Sequence, residues 1–174
     1  MRKFRICHNY DIDIPLFEDI CFNPYPEDED NLKKLEHLKS REEFERVEDE
    51  RCLQCRARVC AVANLPAAVR ALINPDMLGW IEESVYYKKE HYWTWNVVPY
   101  YFKEHIKCFG TMSLHAREGG GMLRVTEGIV DLRFPVLGEM MEIFVVDSLK
   151  KSLDHEHALF GESIERRKKR KNNS

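Results

Sequence analysis

The chain has 174 residues, 33% charged and 44% hydrophobic, which suits one packed domain and excludes a disordered or membrane-embedded composition. Its net charge is −3, but the run Arg166-Arg167-Lys168-Lys169-Arg170-Lys171 carries six positive charges, so the remainder stands at −9. Such an acidic body is a poor surface for nucleic acid, and any pull on a polyanion falls to the run alone.

No window approaches the ~20 apolar residues of a membrane span, and Met1 to Tyr10 alternates rather than forming a signal segment. Six cysteines without a secretory signal read as thiols in a reducing compartment, and the expected localisation is cytoplasmic.

Residues 3–12 alternate as a strand, with Phe4, Ile6, His8, Tyr10 and Ile12 on one face. Pro15 opens one or two helical turns through Leu16, Phe17, Ile20 and Cys21, stopped by Pro24 and Pro26. Acidic residues 27–30 and leucines 32, 35 and 38 predict a second short helix over 31–39. Residues 42–48 and 51–62 read as a hairpin turning at Asp49 and Glu50, and Pro66 opens a short helix reaching Leu72 and Ile73.

Strands then dominate: 80–88, 92–98, 104–115 and 122–134, the last pair joined by Gly119-Gly120-Gly121. In the final strand Leu123 and Val125 are odd while Val130, Leu132 and Phe134 are even, which predicts a β-bulge at Gly128. After Pro135 a long helix is expected from about Leu137 to Arg167. Its apolar stripe is Met141, Val145, Leu149, Leu153, Phe160 and Ile164. The domain is drawn as 1–167, with 168–174 a basic, disordered tail.

One strand, two short helices, about six hairpin-linked strands and a long amphipathic helix predict an α+β fold. The curved antiparallel sheet would wrap around the C-terminal helix, leaving a concave space where small ligands bind. That order resembles the helix-grip superfamily (SRPBCC), which includes START lipid-binding domains and polyketide cyclase/dehydrase-like proteins. The resemblance covers residues 3–165. It is sharpest at Gly128-Ile129-Val130-Asp131-Leu132-Arg133-Phe134-Pro135-Val136-Leu137-Gly138-Glu139, similar to the last strand and helix entry of an uncharacterised bacterial START-like branch. Weaker matches are Trp80-Ile81-Glu82-Glu83-Ser84 and Gly119-Gly120-Gly121-Met122-Leu123-Arg124. The resemblance implies a hydrophobic ligand beneath the long helix; it brings no catalytic motif.

Cys52-x-x-Cys55-x4-Cys60 has the look of a zinc or redox motif, but on a strand Cys52 and Cys55 point to opposite faces. They read as ordinary thiols, and neither metal nor cofactor is expected. His8 on the apolar face is either a hydrogen-bonded core residue, a polar anchor of the pocket, or a general base near Glu83 or Glu127. Glu127 either points inward with Arg124 as its partner or turns to solvent at the bulge. The aromatics from Tyr86 to Phe102 either pack the sheet or wall the ligand. The basic run is a solvated terminus, or a contact with anionic membrane or, in a eukaryote, an import signal.

The expected function is therefore binding, with transport in view, of a hydrophobic small molecule or lipid lined by His8, Tyr10, Trp95, Met112, Leu132, Met141 and Val145. The alternatives are a cyclase- or dehydratase-type enzyme using His8 and a carboxylate, and a surface-acting interaction protein without a ligand.

Overall fold

A computed structural model describes residues 1–28, 38–61, 74 and 77–172. Its elements are β1 (Arg2–Tyr10), α1 (Ile14–Phe22), β2 (Leu38–Glu48), β3 (Cys52–Ala61), β4 (Gly79–Tyr87), β5 (Tyr92–Pro99), β6 (Ile106–Ala116), β7 (Met122–Leu132) and α2 (Gly138–Asn172). The strands form one sheet in the order β1-β7-β6-β5-β4-β3-β2, every pair antiparallel. With α2 lying over β1 and β7, this is the expected helix-grip arrangement. The helix over 31–39 and the one after Pro66 lie outside the described residues, except that Leu38 and Lys39 already belong to β2.

Local chemistry accounts for the joints. Asp13 caps α1 by accepting from Leu16 N–H at 3.0 Å, and Pro15 occupies the first turn, where an N–H is not needed. The turn between β6 and β7 uses three consecutive glycines at φ of 88°, 104° and 78°, a left-handed run that residues with a Cβ resist.

The bulge expected at Gly128 is absent. β7 keeps an unbroken register with both neighbours, Phe4 opposite Gly128 on one side and Gly110 opposite it on the other. The even residues of β7, from Met122 through Arg124, Thr126 and Val130 to Leu132, face α2, and Leu123 and Val125 belong to the convex face. Apolar residues on both faces of this interior strand imitate a phase slip. The register shifts fall instead in β2, between Leu38 and Ser40 and between Glu43 and Glu45.

Gly110 and Gly128 have a different task. A Cβ at Gly128 would lie 2.7 Å from both Phe4 Cζ and Trp95 Cζ2, and one at Gly110 would lie 2.5 Å from Trp95 Cζ2. The paired glycines let the Trp95 indole lie directly on the sheet, stacked at 6.1 Å on Phe4.

Two apolar clusters hold the layers together. Near the C-terminal end of α2, Ile164 and Phe160 pack with Tyr10, Ile12, Phe17, Ile20, Leu114 and Met122. Near its N-terminal end, Met141, Val145 and Leu149 pack with Cys108, Val130, Leu132 and Trp95. The helix continues beyond the expected end at 167, because its basic run is held by the chain. Arg167 donates to Asp19 at 2.8 Å and to the Asn23 carbonyl at 2.6 Å, and its guanidinium sits 4.1 Å above Tyr25. Arg166 donates to Asp28 at 2.6 Å, and Arg170 to Glu27 at 3.2 Å. Burial pushes the Asp28 carboxyl up, but hydrogen bonds from Ser163 and Arg166 outweigh it and hold the carboxyl below the usual range.

Candidate binding site on the concave face

Between the two apolar clusters the surface facing α2 becomes a polar band. Arg124 on β7 is 1% exposed, and His8 on β1, opposite it in register, is 6% exposed. Arg124 Nη1 donates to Glu156 Oε1 at 2.6 Å, and Nη2 donates to His8 Nδ1 at 3.1 Å. An accepting Nδ1 places the ring proton on Nε2, which donates to Asp154 Oδ1 at 2.9 Å. The guanidinium also lies 5.6 Å from the Tyr10 ring centre. One buried cation thus ties β1 and β7 to α2. A buried charge persists only with such partners.

His157, on the same stretch of α2, stacks on His8 at 4.7 Å and meets Tyr10 edge-on at 4.6 Å. Burial first, and then the neighbouring His8 and Arg124, hold its imidazole below its ordinary pKa of 6.5. Burial also raises the Tyr10 hydroxyl, so it stays a neutral phenol.

The His157 shift has a sign that can be measured. The unfolded imidazole takes a proton near pH 6.5, whereas the folded one resists until lower pH. Stability is therefore complete above about pH 6.5 and falls as pH drops from there, by at most about 1.4 kcal/mol per pH unit for a single proton. Denaturant unfolding between pH 7 and 5 should show this slope in the wild type and a shallower one in His157→Gln. Equal slopes would remove His157 as its source.

Burial beside this band is uneven. Cys21 on α1 keeps exposed surface, yet burial and then the Glu156 carboxylate push its thiol up to about 12, against the opposing effect of the Arg124 cation. Trp95, Met112, Ser84 and Cys55, all on the concave face by register, are only half-buried, while Cys108 and Leu114 on the same strand as Met112 are buried. At the α1 end Glu18 accepts from Tyr86 and pairs with His91 at 2.5 Å, beside the Tyr86–Trp93 stack at 4.0 Å.

The seven residues expected to line a pocket divide into groups. His8 and Tyr10 meet through Arg124 and His157, while Leu132, Met141, Val145 and Trp95 belong to the cluster near the start of α2. Met112 lies between the groups, opposite Thr126 and Trp93. Two surface recesses sit at the ends of α2 instead, one with Met1, Phe134 and Glu139 and one with Pro15, Tyr25 and Arg170. Of the seven, only Leu132 borders either.

His8 is buried and hydrogen-bonded, as the first of its readings expects, and neither acid named for the general-base reading is near it. Glu127 is exposed and accepts from Arg5 at 2.6 Å, and Glu83 faces outward to Arg56 and Asn96. The unbroken β7 register turns odd residues away from α2, which removes Glu127 and brings Arg124 in. Cys52 and Cys55 do lie on opposite faces, Cys52 beside Tyr87 and Cys55 beside Ser84. Among the described residues no group of His, Cys, Asp or Glu could hold a metal ion, and no helix is long and apolar enough to cross a membrane.

Asp154, Glu156 and His157 were not expected from the sequence, although the stripe of α2 carries their signal. It runs at four-residue steps to Leu153 and resumes only at Phe160. Polar residues in that gap reach Arg124 and His8.

A family model described as "Protein of unknown function (DUF2505)" matches residues 28–164. No curated protein matches the sequence. Among solved structures, TTHA0849 from Thermus thermophilus is similar over 92% of this chain and 95% of its own, at TM-score 0.64 and 16% identity. The Zhui aromatase/cyclase from Streptomyces sp. R1128 is similar over 95% of this chain and 94% of its own, at TM-score 0.60 and 10% identity. At these identities the likeness is one of fold.

Proposed function

We propose that the chain, which belongs to the DUF2505 family of proteins of unknown function, binds an apolar small molecule or lipid between its sheet and its long helix. The observation carrying this reading is the polar band next to a partly open concave surface, with apolar clusters on either side. A ligand site needs that combination: apolar area for affinity, at about 25 cal/mol per Å² buried, and a few polar groups to fix orientation. The fold likeness to START-like proteins supports the reading without naming a ligand, and carriage between sites is a natural extension of binding.

The residues proposed to line the space are His8, Tyr10, Trp95, Met112, Leu132, Met141 and Val145, joined now by Cys21, Arg124 and Thr126. A catalytic role for His8 draws less support, because both ring nitrogens are engaged, by Arg124 and Asp154. Membrane contact through the basic run is the weaker part of the proposal. Arg166, Arg167, Lys168 and Arg170 are all paired with acids of the chain, which takes most of the run away from an anionic surface, where each free cation would contribute about 1 kcal/mol.

The test is native mass spectrometry of protein purified from its own host, together with binding of a fluorescent fatty acid. Co-purified ligand, or protection of Cys21 from a maleimide by the fatty acid, is the expected result. Protein that is repeatedly ligand-free and does not bind the probe would sink the proposal.

A further inference from the structure

We infer that the occupant presents hydrogen-bond acceptors to the polar band, a carboxylate or carbonyl end on an apolar body, and that the band discriminates against a donor-only head such as an amine. This rests on the pocket reading above and adds the polarity of what enters.

Five polar atoms in and beside the band, all between the sheet and α2, are shielded from solvent and have no protein partner: Tyr10 Oη, Trp95 Nε1, Arg124 Nε, Thr126 Oγ1 and His157 Nδ1. They come from β1, β5, β7 and α2, so both layers contribute. Their chemistry is one-sided. Trp95 Nε1 and Arg124 Nε can only donate, the two hydroxyls and the imidazole nitrogen can do either, and none of the five is an obligate acceptor. The carboxylates at hand are committed, Glu156 to Arg124 and Asp154 to His8. The band therefore holds surplus donors, and a chain seldom keeps several buried donors unmade without a use for them.

The apolar body has one direction in which to lie. At the α1 end Phe17, Tyr10 and Met122 are packed almost completely. Toward the start of α2, Trp95, Val97, Phe144 and Leu149 remain half-buried. The acceptor end belongs at Arg124 and Thr126, and the chain or ring system runs toward Leu149 and Phe144.

The test uses the apolar dye N-phenyl-1-naphthylamine, displaced by dodecanoate, methyl dodecanoate or dodecylamine. Either acceptor-bearing ligand should compete about tenfold better than the amine, because a site built to hydrogen-bond one group rejects the analogue lacking it. The carboxylate and ester arms separate a demand for charge from a demand for an acceptor. Tyr10→Phe and Thr126→Val each remove one hydroxyl with little change of shape. Both should narrow the acceptor preference several-fold, read as the ratio of ester to amine competition within each variant, and raise the melting temperature of the ligand-free protein, where the hydroxyl has no partner. Competition by dodecylamine equal to that of the ester, or variants that leave the preference intact, overturns the inference while the pocket stands. Failure of the dye to bind the wild type overturns the pocket itself.

Discussion

Glu156→Leu is expected to destabilise the protein by about 3 kcal/mol, the low end for stranding a buried charge. Arg124 is 2% exposed at its side chain, and Glu156 supplies its nearest counter-charge at 2.6 Å. The low end applies because the Glu156 side chain is itself 36% exposed, so part of its attraction is already shared with water. At this chain length the midpoint of thermal unfolding should fall by roughly 6–12 °C. The double variant Arg124→Met with Glu156→Leu should recover most of that loss, since it removes the cation together with its partner. A double variant no more stable than Glu156→Leu alone would show that lost packing, not an abandoned charge, sets the cost.

The second large effect belongs to the glycine pair beneath Trp95. In Gly110→Ala the new methyl would run into the Glu127 carbonyl oxygen and lie 2.7 Å from Gly128 Cα, so backbone must move. A loss of about 3 kcal/mol is expected, the upper part of the usual cost of overpacking. Gly128→Ala meets aromatic tips, those of Phe4 and Trp95, and should cost about 1–2 kcal/mol. The two differ in how they can be repaired. Phe4→Leu should restore much of the stability lost in Gly128→Ala, and no side-chain trimming should restore Gly110→Ala. Urea unfolding of the wild type, the two glycine variants and their Phe4→Leu combinations decides this, and equal rescue of both glycine variants would disprove the direct seating of Trp95 on the backbone.

The two expected effects mark where sequence reading succeeded and where it stopped. Strand alternation placed His8 and Tyr10 on the face that meets α2, and the helical stripe placed Met141 and Val145 opposite. Each depends only on a local period, two residues in a strand and 3.6 in a helix. The partners of His8 are not legible in the sequence because they depend on which face of β7 is inward. Leu123 and Val125 are apolar on the convex side of an interior strand, so hydrophobicity leaves Glu127 open between an inward and a solvent-facing position; the structure has it exposed, paired with Arg5. Gly128 reads in the sequence as a bulge signal and Gly110 as an ordinary strand position, although both serve a ring that arrives from β5.

From the sequence alone came the α+β class, the order of the strands and of the first and last helices, the seven-stranded extent of the sheet and the faces of β1 and α2. These follow from patterns within a few residues of one another. The tertiary structure decided the network of Arg124, Glu156, His8 and Asp154, the floor under Trp95 and the attachment of the basic run to α1. Those contacts join residues far apart in the chain, such as His8 and Asp154, or cross between strands whose register no local pattern encodes. A hydrogen bond needs both partners positioned to within a few tenths of an ångström, and only the packed chain supplies that.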